Sequence, residues 1–286
     1  MINKRSNRGL LYVAPALIVL LIVLILPALF AVIYSVLELK SVRPVGFAGF
    51  ENYRSIFSNP ELLWVLVRTM VFTVASVMIT LGVALGIAVF LDKLTAGRAA
   101  FMQVLIVLPW IISTIVGALL IRWLFVSDIS PGVYLMRLVG IKESPLTNPT
   151  LAMITLIVVA IWRTLGFAVL LLLAGIKAIP GEYYEAAKVD GATARQSFWK
   201  ITLPLIKTPL VITTVILTMS NLNTVEAPLV TTGGGPGRAT QILPLEIYER
   251  AFTYFDFSEG VALATVALIL NLVLVFGYLR LVRWRV

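Results

Sequence analysis

Six apolar runs, each long enough to cross a bilayer, leave this chain few ways to fold. They cover about residues 10–37, 62–91, 99–125, 150–176, 205–223 and 259–281. A run of about 18 or more apolar residues with few charges marks a transmembrane helix. In hydrocarbon no water satisfies the backbone, so such a segment must close its hydrogen bonds internally. The expected fold is an all-α integral membrane protein, a single domain of six transmembrane helices over residues 1–286. The first run is too long for the apolar core of a cleaved leader and is read as a retained span. Pro15 and Pro27 are expected kink positions in it, and Pro109-Trp110 interrupts the third run.

Charge sets the expected orientation. The chain carries a net charge of +9, but its basic residues lie in short segments beside the runs rather than in one patch. That distribution argues against nucleic acid and for a topology read from Lys and Arg. With both termini in the cytoplasm, thirteen basic residues fall inside, among them Lys4, Arg5, Arg8, Lys93, Arg98, Lys188, Arg283 and Arg285. Seven fall outside: Lys40, Arg43, Arg54, Arg137, Lys142, Arg238 and Arg250. Cys and His are both absent, which excludes thiol chemistry, disulfides and His-bearing metal sites; no metal ligand set is expected.

Between the fourth and fifth runs lies a polar island, Pro180 to Pro204, within the cytoplasmic segment 177–204. Pro180 suits a first helical turn, and Glu182 and Glu185 favour that positive end. Gly191 can take the left-handed conformation that ends a helix. Thr193 and Gln196 have capping-box spacing for a second helix, which meets Pro204 where the next apolar run begins. The local expectation is helix, sharp turn, helix. An amphipathic helix resting on headgroups would account for Tyr183, Tyr184, Phe198 and Trp199. It does not account for the spacing of Glu185-Ala186-Ala187, Gly191, Ile201 and Leu203-Pro204.

That spacing resembles the EAA loop of the permeases of ABC importers, type I, and fills the pattern without a gap. The resemblance implies that Glu185, Ala186, Ala187, Asp190, Gly191, Leu203 and Pro204 dock an ATPase subunit. Small Ala186 and Ala187 would let a partner surface come close, while Glu185 and Asp190 would meet its basic groups. Two further stretches are similar to the carbohydrate-uptake branch, which includes maltose and glycerol-phosphate permeases. One is Gly49-Phe50-Glu51-Asn52-Tyr53, in a segment expected to lie at the membrane surface. The other is Thr232-Gly233-Gly234-Gly235-Pro236 in the last outer loop, followed by Ile247-Tyr248 and Ala251-Phe252. In relatives that loop faces a solute-binding protein; read without them, it is a flexible glycine turn.

No Gly-x-x-x-x-Gly-Lys-Ser/Thr occurs, so no phosphate cradle is expected. ATP and Mg are expected on separate ATPase subunits, with no cofactor and no catalytic residue on this chain. The resemblance further implies two ATPase subunits, a second and different permease chain, an external binding protein, and a bacterial-type inner membrane. The solute expected is a sugar, oligosaccharide, polyol or glycerol-phosphate-like molecule. Amino-acid or anion permeases of the same class, and an ATP-independent secondary transporter, are the alternatives.

Candidates for the solute path are polar groups inside the runs. Arg163 sits near the middle of the fourth, where a charge costs several kcal/mol unless it faces protein or water. A helix-tying role and a path role fit it equally. Ser220, Asn221, Asn223 and Glu226 crowd the end of the fifth run, where they could serve as interhelical glue or as partners for sugar hydroxyls. Trp110 offers an aromatic face. Arg68 and Arg122 lie nearer span ends and are expected to snorkel.

Overall fold

The computed structural model describes residues 6–40, 42–138, 140 and 143–281, with side chains from Tyr12 to Arg280. Lys4, Arg5, Lys142, Arg283 and Arg285, which entered the orientation argument, lie outside the described residues. In chain order the elements begin with α1 (Ser6–Leu20), a π turn (Leu21–Ile25) and α2 (Leu26–Tyr34). A hairpin of β1 (Leu37–Lys40) and β2 (Arg43–Phe47) follows, then α3 (Glu51–Ser58), α4 (Pro60–Asp92), α5 (Ala96–Ile111) and α6 (Thr114–Phe125). Next come α7 (Pro131–Leu138), α8 (Pro149–Lys177), α9 (Gly181–Val189), α10 (Ala194–Ser197), a π turn (Phe198–Thr202) and α11 (Leu203–Leu205). The chain continues through α12 (Lys207–Leu222), α13 (Glu226–Thr231), α14 (Leu243–Tyr248), a third π turn (Glu249–Thr253) and α15 (Phe257–Leu281).

Among the described residues, four helical stretches are long and apolar enough to span a membrane: Tyr12–Tyr34, Pro60–Asp92, Pro149–Lys177 and Phe257–Arg280. Two bent pairs bring the number to as many as six. The chain is a multi-pass membrane protein. The run over 99–125 is not one straight helix: α5 and α6 meet at 92°. Ile112 and Ser113 are both extended there, ψ 137°, just after Pro109 has removed a backbone donor from the last turn of α5. The fifth run starts at Lys207, after a 66° bend from the helix that ends at Leu205. Prolines also explain two π turns. The Leu26 amide donates to the Leu21 carbonyl just before Pro27, and the Leu203 amide to that of Phe198 just before Pro204. A five-residue step re-pairs carbonyls beside a residue that cannot donate.

The chain forms two compact units. The first comprises residues up to Leu63 together with Glu246–Ile269. Its organising contacts are polar. Asn52 donates to the carbonyls of Ser35 (2.9 Å) and Leu37 (3.1 Å), and the Tyr53 hydroxyl donates to Ser35 Oγ at 2.6 Å. Gly49, at φ +59°, turns the chain so that its amide reaches the Val36 carbonyl. The Gly-x-x-Asn-Tyr stretch thus ties α3 to the carbonyls that end the first span. The hairpin beside it, with Leu37 opposite Phe47, was not foreseen in what reads as a mixed-charge loop.

The second unit comprises Trp64–Leu245 and the chain from Leu270 onward. Helix α8 lies at its centre. Asn148 caps it, its side chain accepting from the amides of Thr150 and Leu151, and Pro149 occupies the first helical position. One apolar cluster joins Val77, Ala84 and Ala88 of α4 to Ala168, Leu172 and Ile176 of α8 and Leu217 of α12. Another joins Phe72 to Leu156, Val159 and Ala160 of α8, and to Ala227, Ile242 and Leu245. Two glycines set how near the neighbours come. A Cβ on Gly166 would lie 2.3 Å from the Ile106 carbonyl oxygen and 2.8 Å from Val107 Cα; one on Gly175 would lie 2.7 Å from Pro209 Cγ. Small residues at such crossings let helix backbones touch, which is what drives association in lipid.

Gly166→Ala should therefore lower stability by about 1–3 kcal/mol, because the atoms in the way are backbone. Gly82, with no atom within 4 Å of a built Cβ, is the matched control on α4. Melting of the two variants in detergent checks this: Gly82→Ala should match the parent or exceed it, and Gly166→Ala should fall below both.

Candidate functional site

The polar island folds as helix, turn, helix. Helix α9 ends in a Schellman turn: the Gly191 amide donates to the Lys188 carbonyl (3.1 Å) and the Ala192 amide to that of Ala187 (2.8 Å). Gly191 has φ +73° with nothing within 4 Å of a built Cβ, so backbone conformation alone requires glycine there. Two residues later the capping box closes. Thr193 Oγ1 accepts from the Gln196 amide at 3.3 Å, and Gln196 Oε1 accepts from the Thr193 amide at 2.7 Å. The Tyr184 and Thr202 hydroxyls, 2.9 Å apart, bind the first helix to the second.

The outward side of this loop is bare. Glu185, Ala186, Asp190 and Gly191 are exposed, and the apolar side chain of Val189 is 88% exposed. Ala187 and Leu203 are half-buried, and Pro204 is exposed beside the 66° bend. The braced elbow thus presents Ala186, the carboxylates of Glu185 and Asp190 and the apolar tip of Val189 on one exposed loop.

The candidate path residues converge in part. Arg163 Nη2 donates to Ser220 Oγ at 3.0 Å, tying α8 to α12. One turn further along α8, Phe167 stacks on Trp110 at 5.4 Å and 28°. Asn221 is 2% exposed, and its amide nitrogen has no partner among the described residues. Asn223 instead bends back to the Met219 carbonyl and reaches Asn271 Oδ1 at 3.4 Å. Arg122 does not merely snorkel: it donates to the Val230 carbonyl at 3.1 Å and so holds α13 to α6.

The largest departure from expectation is the stretch after Asn223. Read as a polar outer loop, it holds α13 and α14 and is largely buried. Thr231, Thr240, Gln241, Ile242 and Leu245 are each 2% exposed or less. The glycine turn is built rather than flexible. Thr232 and Gly233 amides both donate to the Pro228 carbonyl, and the Thr240 hydroxyl shares its proton between Thr232 Oγ1 (2.7 Å) and the Gly235 carbonyl (2.8 Å). Gly234, at φ +80°, leaves the room that the Gln241 amide fills, and the Gly235–Pro236 peptide is cis. The Leu243 amide donates to Thr69 Oγ1 of α4 at 2.7 Å. Non-helical backbone is tolerated in a membrane protein where protein buries it and satisfies its groups. Two short apolar pieces, Ala227–Val230 and Ile242–Leu245, flank the glycines and were the available signal.

Comparison with known proteins decides the family. Residues 77–286 match the model of the binding-protein-dependent transport system inner membrane component. This chain is a member of that family. The sulfoquinovosyl glycerol transport system permease protein SmoG of Agrobacterium fabrum is 33% identical over 96% of this chain and 90% of its own length. The trehalose/maltose transport system permease protein MalF of Thermococcus litoralis is 31% identical over 99% of this chain and 96% of its own. The sn-glycerol-3-phosphate transport system permease protein UgpA of Rhizobium meliloti is 31% identical over 96% of this chain and 94% of its own. A solved chain of a bacterial alginate ABC transporter, in complex with an alginate pentasaccharide-bound periplasmic protein, shares the fold. Its TM-score is 0.81 at 22% identity, over 98% of this chain and 95% of that one. The fold is that of a type I importer permease.

In this permease one charged cluster carries structural weight beyond any sequence signal. In the first unit, Arg250 lies 2.9 Å from Glu246 and 2.6 Å from Glu259, and its guanidinium sits 5.9 Å from the Tyr254 ring centroid. Burial disfavours the Arg250 charge, but the bond to Glu246 and the fields of Glu259, Glu246 and Asp256 outweigh it and hold the pKa above its ordinary value. The Glu246 side chain is fully buried, so the pair cannot be broken cheaply. Arg250→Met should cost about 3–5 kcal/mol by stranding that carboxylate, with Arg250→Lys in between. Thermal midpoints of the purified variants test the ranking; a methionine variant that melts with the parent would refute it.

Proposed function

We propose that this chain is the permease subunit of an ATP-driven importer for a sugar, glycoside or polyol phosphate, delivered by an external binding protein. Support for the solute class comes from the relatives, whose names specify sulfoquinovosyl glycerol, trehalose or maltose, and sn-glycerol-3-phosphate. None of these three names specifies an amino acid or an inorganic anion, and family membership favours a binding-protein-dependent system over an ATP-independent carrier.

One observation carries the mechanism: the exposed elbow at α9–α10 continues directly into α8 on one side and, through a single bend, into α12 on the other. In this reading two separate ATPase subunits, each binding ATP and Mg, receive the loops of this chain and of a second, different permease. Glu185 and Asp190 face their basic groups, and Ala186 and Ala187 allow close seating. ATPase closure pushes the braced loop, and the push reaches Arg163 on α8 and Ser220 on α12. The path then opens alternately to the binding protein and to the cytoplasm. Both termini lie in the cytoplasm of a bacterial-type inner membrane, and the turn Thr232–Pro236 lies toward the binding protein. No catalytic step falls to this chain.

Gly191→Val and Glu185→Lys test the reading. The first forces a β-branched residue to φ +73°, and the second reverses a charge at the docked surface. Neither site packs among the spans, so both variants should insert at normal abundance. Substrate-stimulated ATP hydrolysis and uptake should fall on the order of tenfold or more if the interface is desolvated. Parental rates in both would leave the loop an interfacial helix and nothing more.

A further inference from the structure

Beneath the elbow lies a cavity of about 410 Å³ that coupling does not require. Its walls are the last turn of α4 (Val89, Asp92) with Lys93 just beyond it, the end of α8 at Ile176, Tyr184 and Lys188 of α9, Ala192 of the turn, and Ser197, Phe198 and Thr202 of the second loop helix. The walls are mainly apolar, with the Tyr184–Thr202 hydroxyl pair among them and two lysines against one aspartate at the rim. This volume falls within the range of small-molecule sites. On the adjacent face of the same α4 turn is a second hollow of about 310 Å³, lined by Phe90, Leu94, Gly97, Phe101 and Met102, with Arg98 as its one charge.

The depth of the cavity is set by its walls. Helices α4 and α8 end here at Asp92 and Lys177, and Phe198 and Trp199 stand edge to face, Trp199 58% exposed. Charged span ends with aromatic side chains mark the headgroup level of a bilayer. Basic, partly apolar pockets between spans at that level suit an anionic headgroup with its acyl chains. We infer that the cavity under the α9–α10 elbow binds one anionic phospholipid, its headgroup at Lys93 and Lys188 and its apolar part against Val89, Ile176 and Phe198. The bound lipid fills the space into which the elbow would otherwise sink, bracing it against α4; this consequence, unlike the binding itself, rests on the coupling reading above.

The experiment uses the assembled transporter in bilayers of phosphatidylcholine with a minority of phosphatidylglycerol, and reads retained lipid by native mass spectrometry. One phosphatidylglycerol per copy of this chain should remain. Each lysine removed should weaken retention about fivefold, so Lys93→Gln with Lys188→Gln weakens it about twenty-five-fold. Both lysines are exposed, so this double variant should fold even if the cavity-filling Ser197→Leu does not. Short-chain phosphatidylglycerol should displace the lipid where inorganic phosphate at equal concentration does not. Unchanged retention in the double variant, equal retention of phosphatidylcholine, or displacement by phosphate alone would overturn the inference. Glu185→Lys should keep the lipid while losing stimulated hydrolysis, so failure of the coupling reading and failure of this one give different results.

Discussion

Backbone-distance packing against α8 is the constraint on which the larger unit rests. Lipid chains are as apolar as leucine, so burying apolar surface does not by itself hold spans together. Close contact does, and α8 provides it with Gly166 under the α5 backbone and Gly175 under Pro209 of α12. Gly117 of α6 repeats the device from the other side, leaving room for Trp162 of α8, whose ring would lie 3.1 Å from a Cβ there. Three neighbours thereby share one helix, and the charged Arg163 at its middle can reach Ser220 rather than lipid.

The same two helices serve both ends of the proposed mechanism. Helix α8 runs into α9, and α12 receives the second loop helix through the bend at Ile206. The loop is stiff for local reasons: a Schellman turn, a capping box and the Tyr184–Thr202 bond leave little backbone unpaired. A stiff loop passes displacement on; a floppy one would absorb it. Because α8 and α12 also carry Arg163, Phe167, Ser220 and Asn221, any relative shift of the two helices acts on the polar cluster directly.

What the sequence disclosed follows from which signals are local. Span positions are written in composition over about 20 residues, and the capping box and Gly191 elbow within four, so these were legible. The 92° break between α5 and α6 was not, because Pro109 alone predicts a kink without its angle. The segment after Asn223 misled for a different reason. Its glycines and threonines look solvent-loving, yet Thr240, Thr232 and the glycine carbonyls satisfy one another, and a polar sequence can be buried once its groups are paired. Arg250 reads as one outer-loop charge among several; only folding brings Glu246 and Glu259 to it from four residues before and nine residues after.

The central claim is that the bare face of α9 is where an ATPase docks, and the native lack of cysteine allows a direct measurement. Ala186→Cys, labelled through its thiol with a maleimide that carries a photoactivatable benzophenone and irradiated in membranes holding the assembled transporter, reports what lies against that face. The account predicts one adduct, joining this chain to the ATP-hydrolysing subunit, with its yield changing on nucleotide binding. An adduct to the external binding protein, or none to any protein, would contradict it.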